Sequence, residues 1–238
     1  MKKTAVKFIS TGFALVLALA FVVKFGTPGL LRFYVQTGIG DCRSIPIMCM
    51  APSVYMANPK IDDNFSNNSI PYVSDNLAFS APKGFAVVEE ILSKPFYKKH
   101  KRMDKGNIIY IVRKDKDFFV GLYPQLKHVG VKDDYEFIKR VMYARINEIR
   151  DITDTFFVIM KGVFVPDLGN QLQVRMVSFQ MQGASGFINY NLGEKEHLFD
   201  CDLIGKDGSF YKLYIKDRDL KLDLDEVAGI ISTLRAKN

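Results

Sequence analysis

Residues 197–216, HLFDCDLIGKDGSFYKLYIK, carry the pattern that decides the fold class. Two segments rich in β-branched and aromatic residues flank Gly205-Lys206-Asp207-Gly208, a typical turn sequence. Alternation in the first segment sets Phe199, Cys201 and Leu203 on one face and both neighbouring aspartates on the other. We therefore predict an antiparallel strand pair in which Cys201 is a small core residue.

The neighbouring sequence extends this pattern in both directions. A helix is predicted from Asp133 or Asp134 to about Arg150, and a second begins at Asp223, where Glu226 completes a capping box. The predicted order is β-β-α-β-β-β-β-β-α, and its short connections favour an α+β fold: an antiparallel sheet with two main helices packed on it. The other strands are predicted at Asn107–Arg113, Asp117–Tyr123 (these two as a hairpin), Phe156–Val165, Gln171–Gln182 and Gly186–Leu192.

Two stretches resemble the PsbP/Mog1-like domains. LAFSAPKGF, residues 77–85, is similar to the opening of those domains, and GSFYKLY, residues 208–214, with the final helix is similar to their ending. The resemblance covers residues 77–238 and is architectural. It implies an accessory or assembly role rather than an enzyme. The chain departs from the family in having no tryptophan and an additional strand-rich stretch at 156–192, and no ligand motif transfers.

The sequence predicts three parts: an anchor at residues 1–25, an irregular linker at 26–76 and a globular domain at 77–238. Phe8–Val23 contains no charged residue and lies between Lys7 and Lys24. With both lysine stems along its apolar face, the segment is about long enough for one N-terminal transmembrane helix. Proline, asparagine, serine and aspartate dominate the region from Ala51 to Asn76, which is typical of a linker.

A cleavable signal peptide is the alternative to this anchor. Ala18-Leu19-Ala20 fits a cleavage site, but apolar residues continue beyond it to Val23. We therefore favour an uncleaved, single-pass anchor. The numbers of basic residues on the two sides of the anchor are nearly equal, so the positive-inside rule does not determine its orientation in the membrane. A short basic tail normally stays cytoplasmic, and we expect an extracytoplasmic C-terminal domain.

The net charge of +7 is unevenly distributed. Residues 1–35 supply +5 of it, and the remaining 203 residues carry 28 basic and 26 acidic side chains. A nucleic-acid-binding domain needs a concentrated basic face, so nucleic acid is not an expected partner. One segment, 94–105, carries +5 within twelve residues. Either it is a solvated loop, or it contacts anionic headgroups or an acidic partner through Lys94, Lys98, Lys99, Lys101, Arg102 and Lys105.

Two of the three cysteines, Cys42 and Cys49, lie close together after the anchor. In an oxidising compartment they would form a disulfide; otherwise they are two unpaired thiols. The three histidines are scattered, which gives no four-ligand metal spacing, and no cofactor is predicted. The acidic residues at 217–226 lack the order of a calcium loop and are better explained by a solvated turn and helix cap.

The sequence contains no zinc-protease, nucleophile-elbow, Walker A or dinucleotide-binding motif. Together with the anchor, this favours a non-enzymatic, membrane-anchored interaction or accessory domain, as a subunit or assembly factor of a membrane protein complex. A small-molecule or lipid carrier is the alternative, which a large apolar cavity between sheet and helices would favour. An enzyme with an unrecognised site is the third hypothesis.

Overall fold

The computed structural model describes residues 26–59, 61, 63–89, 106–165 and 168–237. Their helices are α1 (Thr27–Gly38), α2 (Asp63–Asn68), α3 (Phe118–Leu122), α4 (Asp134–Tyr143), α5 (Ile152–Phe164) and α6 (Leu224–Ser232). Short 3-10 helices occupy Pro46–Cys49, Pro124–Val129 and Ile146–Glu148. The strands are β1 (Ser53–Tyr55), β2 (Ser69–Val73), β3 (Leu77–Pro82), β4 (Phe85–Glu89), β5 (Asn107–Lys114), β6 (Arg175–Gln180), β7 (Ala184–Leu192), β8 (His197–Gly205), β9 (Phe210–Asp217) and β10 (Arg235–Ala236).

A seven-stranded sheet forms the centre of the molecule, in the order β1-β6-β7-β8-β9-β5-β4. Its five inner strands are antiparallel, as predicted. The two edge strands, β1 and β4, run parallel to their neighbours, so the sheet is mixed and the prediction of a purely antiparallel sheet was wrong at its edges. A second, antiparallel sheet has the order β10-β3-β2.

Two hydrophobic cores lie on opposite faces of the large sheet. On one face, Phe187 and Phe210 pack against α3, α4 and α5, with the Phe119 ring 5.0 Å from Phe137 and 4.9 Å from Phe210. On the other face, α6 and the small sheet cover the strands, and Cys201 is fully buried among them, as predicted. The α+β class is therefore confirmed, with three principal helices, α4, α5 and α6, instead of two.

The segment predicted as an irregular linker contains regular structure. It includes α1, β1, α2 and β2, and its residues Val35, Ile47 and Met48 are buried in the core beside α5. Farther along, the Tyr55 hydroxyl donates a hydrogen bond to the Asp225 carboxylate on α6. The polar composition begins only at Ala51, so it gave no reason to treat the apolar residues of 30–50 as linker.

Two predicted strands are helices. The predicted strand at 117–123 contains α3, and the Phe119 and Val120 N–H groups at the start of this helix donate to the Asp134 carboxylate at 2.9 and 3.0 Å. Residues 156–165 belong mostly to α5, whose start is capped by Asp151 accepting from the Asp154 N–H at 2.8 Å. Both stretches are apolar at nearly every position, so periodicity could not distinguish a buried helix from a buried strand.

The remaining elements follow the sequence closely. Helix α4 ends at Tyr143, earlier than predicted, and the predicted strand at 171–182 is limited to Arg175–Gln180. The capping box of α6 is formed as predicted, with Asp223 and Glu226 each bonding the other's backbone N–H.

No helix within the ranges given above has the length and apolarity needed to cross a bilayer. The predicted span, residues 8–23, lies outside the described residues.

Candidate functional site

A buried polar cluster lies on the sheet face beneath α5. It consists of Asn189 on β7, Asp200 and Asp202 on β8 and Lys212 on β9, and strand register places them side by side. The Lys212 ammonium donates to Asp200 and Asp202, both at 2.9 Å, and to the Phe164 carbonyl at 3.0 Å. The cluster therefore ties the end of α5 to the middle of the sheet.

Burial dominates the electrostatics of this cluster. The two carboxylates are fully buried, and the Lys212 side chain is 12% exposed. Desolvation raises the pKa of Asp202 to about 7 and also raises the pKa of Asp200, although the Lys212 charge opposes both shifts. Burial disfavours the lysine charge, but the paired carboxylates outweigh it and raise the pKa of Lys212.

Some buried polar atoms of the cluster make no hydrogen bond. Within the described chain, one oxygen each of Asp200 and Asp202 lacks a hydrogen-bond partner. The Asn189 amide lies close enough to Asp200 to lower the pKa of that carboxyl by hydrogen bonding. A carboxyl that titrates near pH 7 can exchange a proton in the physiological range. Asn189, Asp200 and Asp202 are all fully buried beneath the helix layer.

Lys161 on α5 forms a second buried cationic site. Its ammonium donates to the carbonyls of Met50, Met142 and Ala144 at 2.7, 2.8 and 3.0 Å. Desolvation, with a smaller contribution from the Arg145 charge, lowers the pKa of Lys161 to about 7. Lys161 thus joins the segment after Cys49 to the end of α4.

Cys42 and Cys49 are joined by a disulfide, with Cα atoms 5.6 Å apart. The bridge closes a loop between α1 and β1, and the carboxylate of Asp41, just before that loop, accepts from the Ser44 N–H at 2.8 Å. Cys201 is a free, buried thiol whose pKa is raised by desolvation and by the adjacent Asp200 and Asp202 charges.

An exposed apolar stripe follows one side of α1. Leu30, Phe33 and Tyr34 are 70%, 65% and 74% exposed, whereas Val35 is buried. The Arg32 guanidinium donates from Nε to the Ile149 carbonyl at 3.0 Å, and the Ile39 side chain contacts Gly162 on α5. The helix is thus fixed to the domain along one side and presents large apolar side chains along the other.

Partly open cavities lie around the edges of the fold. A groove of about 610 Å³ is lined by Met181, Gly183, Tyr211, Leu234 and Arg235, among others. A second, of about 520 Å³, lies between Phe65, Lys83, Phe85 and Lys221. The space between the large sheet and α4 and α5 is instead filled by aromatic rings.

The remaining candidate residues are the basic segment 94–105, the acidic stretch 217–226 and the potential metal ligands. Lys94, Lys98, Lys99, Lys101, Arg102 and Lys105 all lie outside the described residues. In the acidic stretch, Asp217 is fully buried and accepts from three backbone N–H groups. Residues 218–221 are exposed, so the turn is solvated on its outer side and bonded internally at Asp217. Within the described ranges, no three His, Cys, Asp or Glu side chains are arranged to hold a metal ion.

The Lys212 cluster was not predicted, although one signal for it was visible. The alternation of β8 placed Asp200 and Asp202 on the face opposite Cys201, but their burial depends on α5, which was predicted as a strand. The lysine two residues after Phe210 pairs with Asp202 only once β8 and β9 are in register.

No protein-family model matches this chain, and no curated protein matches it either.

Proposed function

We propose that this chain is a non-enzymatic accessory domain held at a membrane by one N-terminal span, residues 8–23, with the folded domain on the extracytoplasmic side. In this proposal it serves as a subunit or assembly factor of a membrane protein complex. The Cys42–Cys49 disulfide is consistent with that side of the membrane, since disulfides persist in oxidising compartments. The resemblance of residues 77–85 and 208–214 to PsbP/Mog1-like domains would imply the same kind of role.

The attachment of α1 is the observation that carries this proposal. Helix α1 begins at Thr27, four residues after Val23, and Val35, Arg32 and Ile39 fasten it to the domain. Three intervening residues leave a reach of at most about 14 Å between the span and the helix. A domain joined so closely to a span stays beside the bilayer, where it can dock on neighbouring membrane proteins.

Carbonate extraction and intact-mass measurement of the full chain test the anchor. We expect the chain to resist extraction and to retain residues 1–20. A variant with Leu15→Arg and Leu17→Arg should be released, because each central arginine costs about 3 kcal/mol of insertion free energy. Leu172→Arg, at a residue that is 64% exposed in the folded domain, is the matched control and should remain membrane-bound. Release of the unmodified chain, or a mature start at Phe21, would contradict the proposal.

Crosslinking in intact membranes, followed by affinity purification and mass spectrometry, tests the accessory role. We expect membrane proteins to be captured in stoichiometric amounts by the unmodified chain and lost with the released Leu15→Arg, Leu17→Arg variant. Recovery of the chain alone from membranes would contradict a role in a complex.

A small-molecule carrier is the second candidate, and the groove beside Gly183 is the observation that favours it. Its volume of about 610 Å³ is large enough for a drug-sized ligand. Gly183→Leu should fill part of the groove, since a Cβ there meets its nearest neighbours only at 3.9 Å. Native mass spectrometry should detect a bound small molecule on the unmodified chain and not on this variant; an empty groove in both proteins would exclude the carrier hypothesis.

A further inference from the structure

The exposed side of α1 carries three large apolar side chains. Leu30, Phe33 and Tyr34 follow the i, i+3, i+4 spacing that places side chains on one side of a helix. Each is at least 65% exposed, although large apolar side chains are usually buried in a folded domain. The opposite side of α1 is held by the buried Val35, so the stripe points away from the domain.

The position of α1 in the chain indicates what contacts its exposed side. The uncharged run ends at Val23, and the stripe begins only seven residues later. From Thr27 to Tyr34 the helix rises about 10 Å, so the whole stripe lies within about 25 Å of the end of that run. Helix α1 contains no acidic residue that anionic headgroups would repel, and tyrosine and phenylalanine suit the boundary between headgroups and acyl chains.

We infer that α1 lies along the bilayer surface, with Leu30, Phe33 and Tyr34 in contact with lipid at the headgroup boundary. This inference rests on the proposed membrane anchor and adds a second contact that orients the domain. Attachment at one point alone would leave the orientation of the domain undetermined, whereas a helix lying on the surface fixes which face of the domain points towards the membrane.

The absence of tryptophan from the chain provides a direct test. Three single-tryptophan variants of the full chain are reconstituted into vesicles: Phe33→Trp on α1, Leu17→Trp in the predicted span and Leu172→Trp on an exposed turn. Emission is recorded with lipids brominated either near the headgroup or deep in the acyl chain. We expect loss of emission at position 33 with shallow bromines, loss at position 17 with deep bromines, and no change at position 172.

The quenching results at positions 17 and 33 test the anchor and the surface helix separately. Quenching at position 17 but not at position 33 overturns the surface helix and leaves the anchor intact. No quenching at position 17 overturns both. A blue-shifted, unquenched signal at position 33 assigns the stripe to a protein contact instead, which also overturns the inference.

A second set of variants tests the contribution of the stripe itself. Leu30→Ser with Tyr34→Ser, placed in the Phe33→Trp chain, should reduce shallow quenching at position 33. The matched change Leu172→Ser in the same chain should leave it unchanged. Equal quenching in all three proteins would show that the span alone places position 33 beside lipid, and would overturn the role of the stripe.

Discussion

At the scale of single residues, Lys212 is a largely buried cation between two fully buried carboxylates. Two buried carboxylates and the Phe164 carbonyl accept its hydrogen bonds, and its ammonium also lies 5.7 Å from the Phe164 ring centre. The cation compensates for much of the cost of burying two acidic groups on one sheet face. Without it, the carboxylates would have to become protonated or draw water into the core.

Lys212→Met should destabilise the fold strongly. Removing one partner of a buried ion pair typically costs about 3–5 kcal/mol of unfolding free energy, because the other charge is left uncompensated. Urea denaturation of the purified chain measures this loss. Lys206→Met, at an exposed lysine in the adjacent turn, is the matched control and should change stability little. Similar unfolding curves for both variants would show that the cluster contributes little to stability.

Asp202 should make stability depend on pH. Its pKa rises from 3.8 to about 7 on folding, so between these values the folded protein keeps a proton that the unfolded chain releases. The contribution of Asp202 to stability is therefore largest at the acidic end of this window and decreases as the pH rises through it.

Asp202→Asn should remove that part of the pH dependence, since asparagine resembles the protonated side chain. The measurement compares the unfolding free energy of variant and parent across the window. Asp115→Asn, at a side chain that is 95% exposed, is the control and should follow the parent curve. Parallel curves for parent and Asp202→Asn would contradict the assignment.

At the scale of elements, the loop closed by Cys42 and Cys49 connects α1 to the remainder of the domain. The bridge restricts the unfolded chain on one side of the helix that carries the exposed stripe. Buried Ile47 and Met48 lie inside the same loop and insert into the core beside α5.

We predict that this disulfide forms in the native protein. Alkylation after denaturation without reductant should label only Cys201, and all three cysteines should react after reduction. Replacing both Cys42 and Cys49 with serine should lower stability by about 2 kcal/mol, as expected for a short closed loop. Labelling of Cys42 and Cys49 without reductant would contradict the pairing.

At the scale of the whole molecule, positive charge is concentrated near the predicted anchor and in the segment 94–105. The remainder of residues 36–238 is slightly negative once that segment is set aside. Attraction of a basic segment to an anionic surface contributes about 1 kcal/mol per residue and decays within about 10 Å at 0.1 M salt.

The basic segment should contact anionic headgroups when the anchored chain is in a membrane. With Phe96→Trp as the reporter, we expect shallow bromine quenching in anionic vesicles that weakens as salt is added. The additional changes Lys98→Ala, Lys99→Ala, Lys101→Ala and Arg102→Ala should abolish it. Quenching that is equal in neutral and anionic vesicles would contradict an electrostatic contact, and tight, salt-sensitive oligonucleotide binding would overturn the exclusion of nucleic acid.

The sequence by itself determined the elements whose signals are local. Alternation along β8 and β9, the turn at Gly205–Gly208 and the Asp223 capping box each involve neighbours in the chain. Cys201 was placed in the core for the same reason, because alternation sets it on the same strand face as Phe199 and Leu203.

Only the tertiary structure decided the elements that depend on distant partners. Helix α3 is supported by Asp134, fifteen residues beyond Phe119, and α4 ends where Lys161 takes its last carbonyls. The Lys212 cluster needs β8, β9 and α5 together before two aspartates can be buried. Short apolar runs are compatible with helix or strand, and the free energy that separates the two comes from contacts that exist only after the chain has folded.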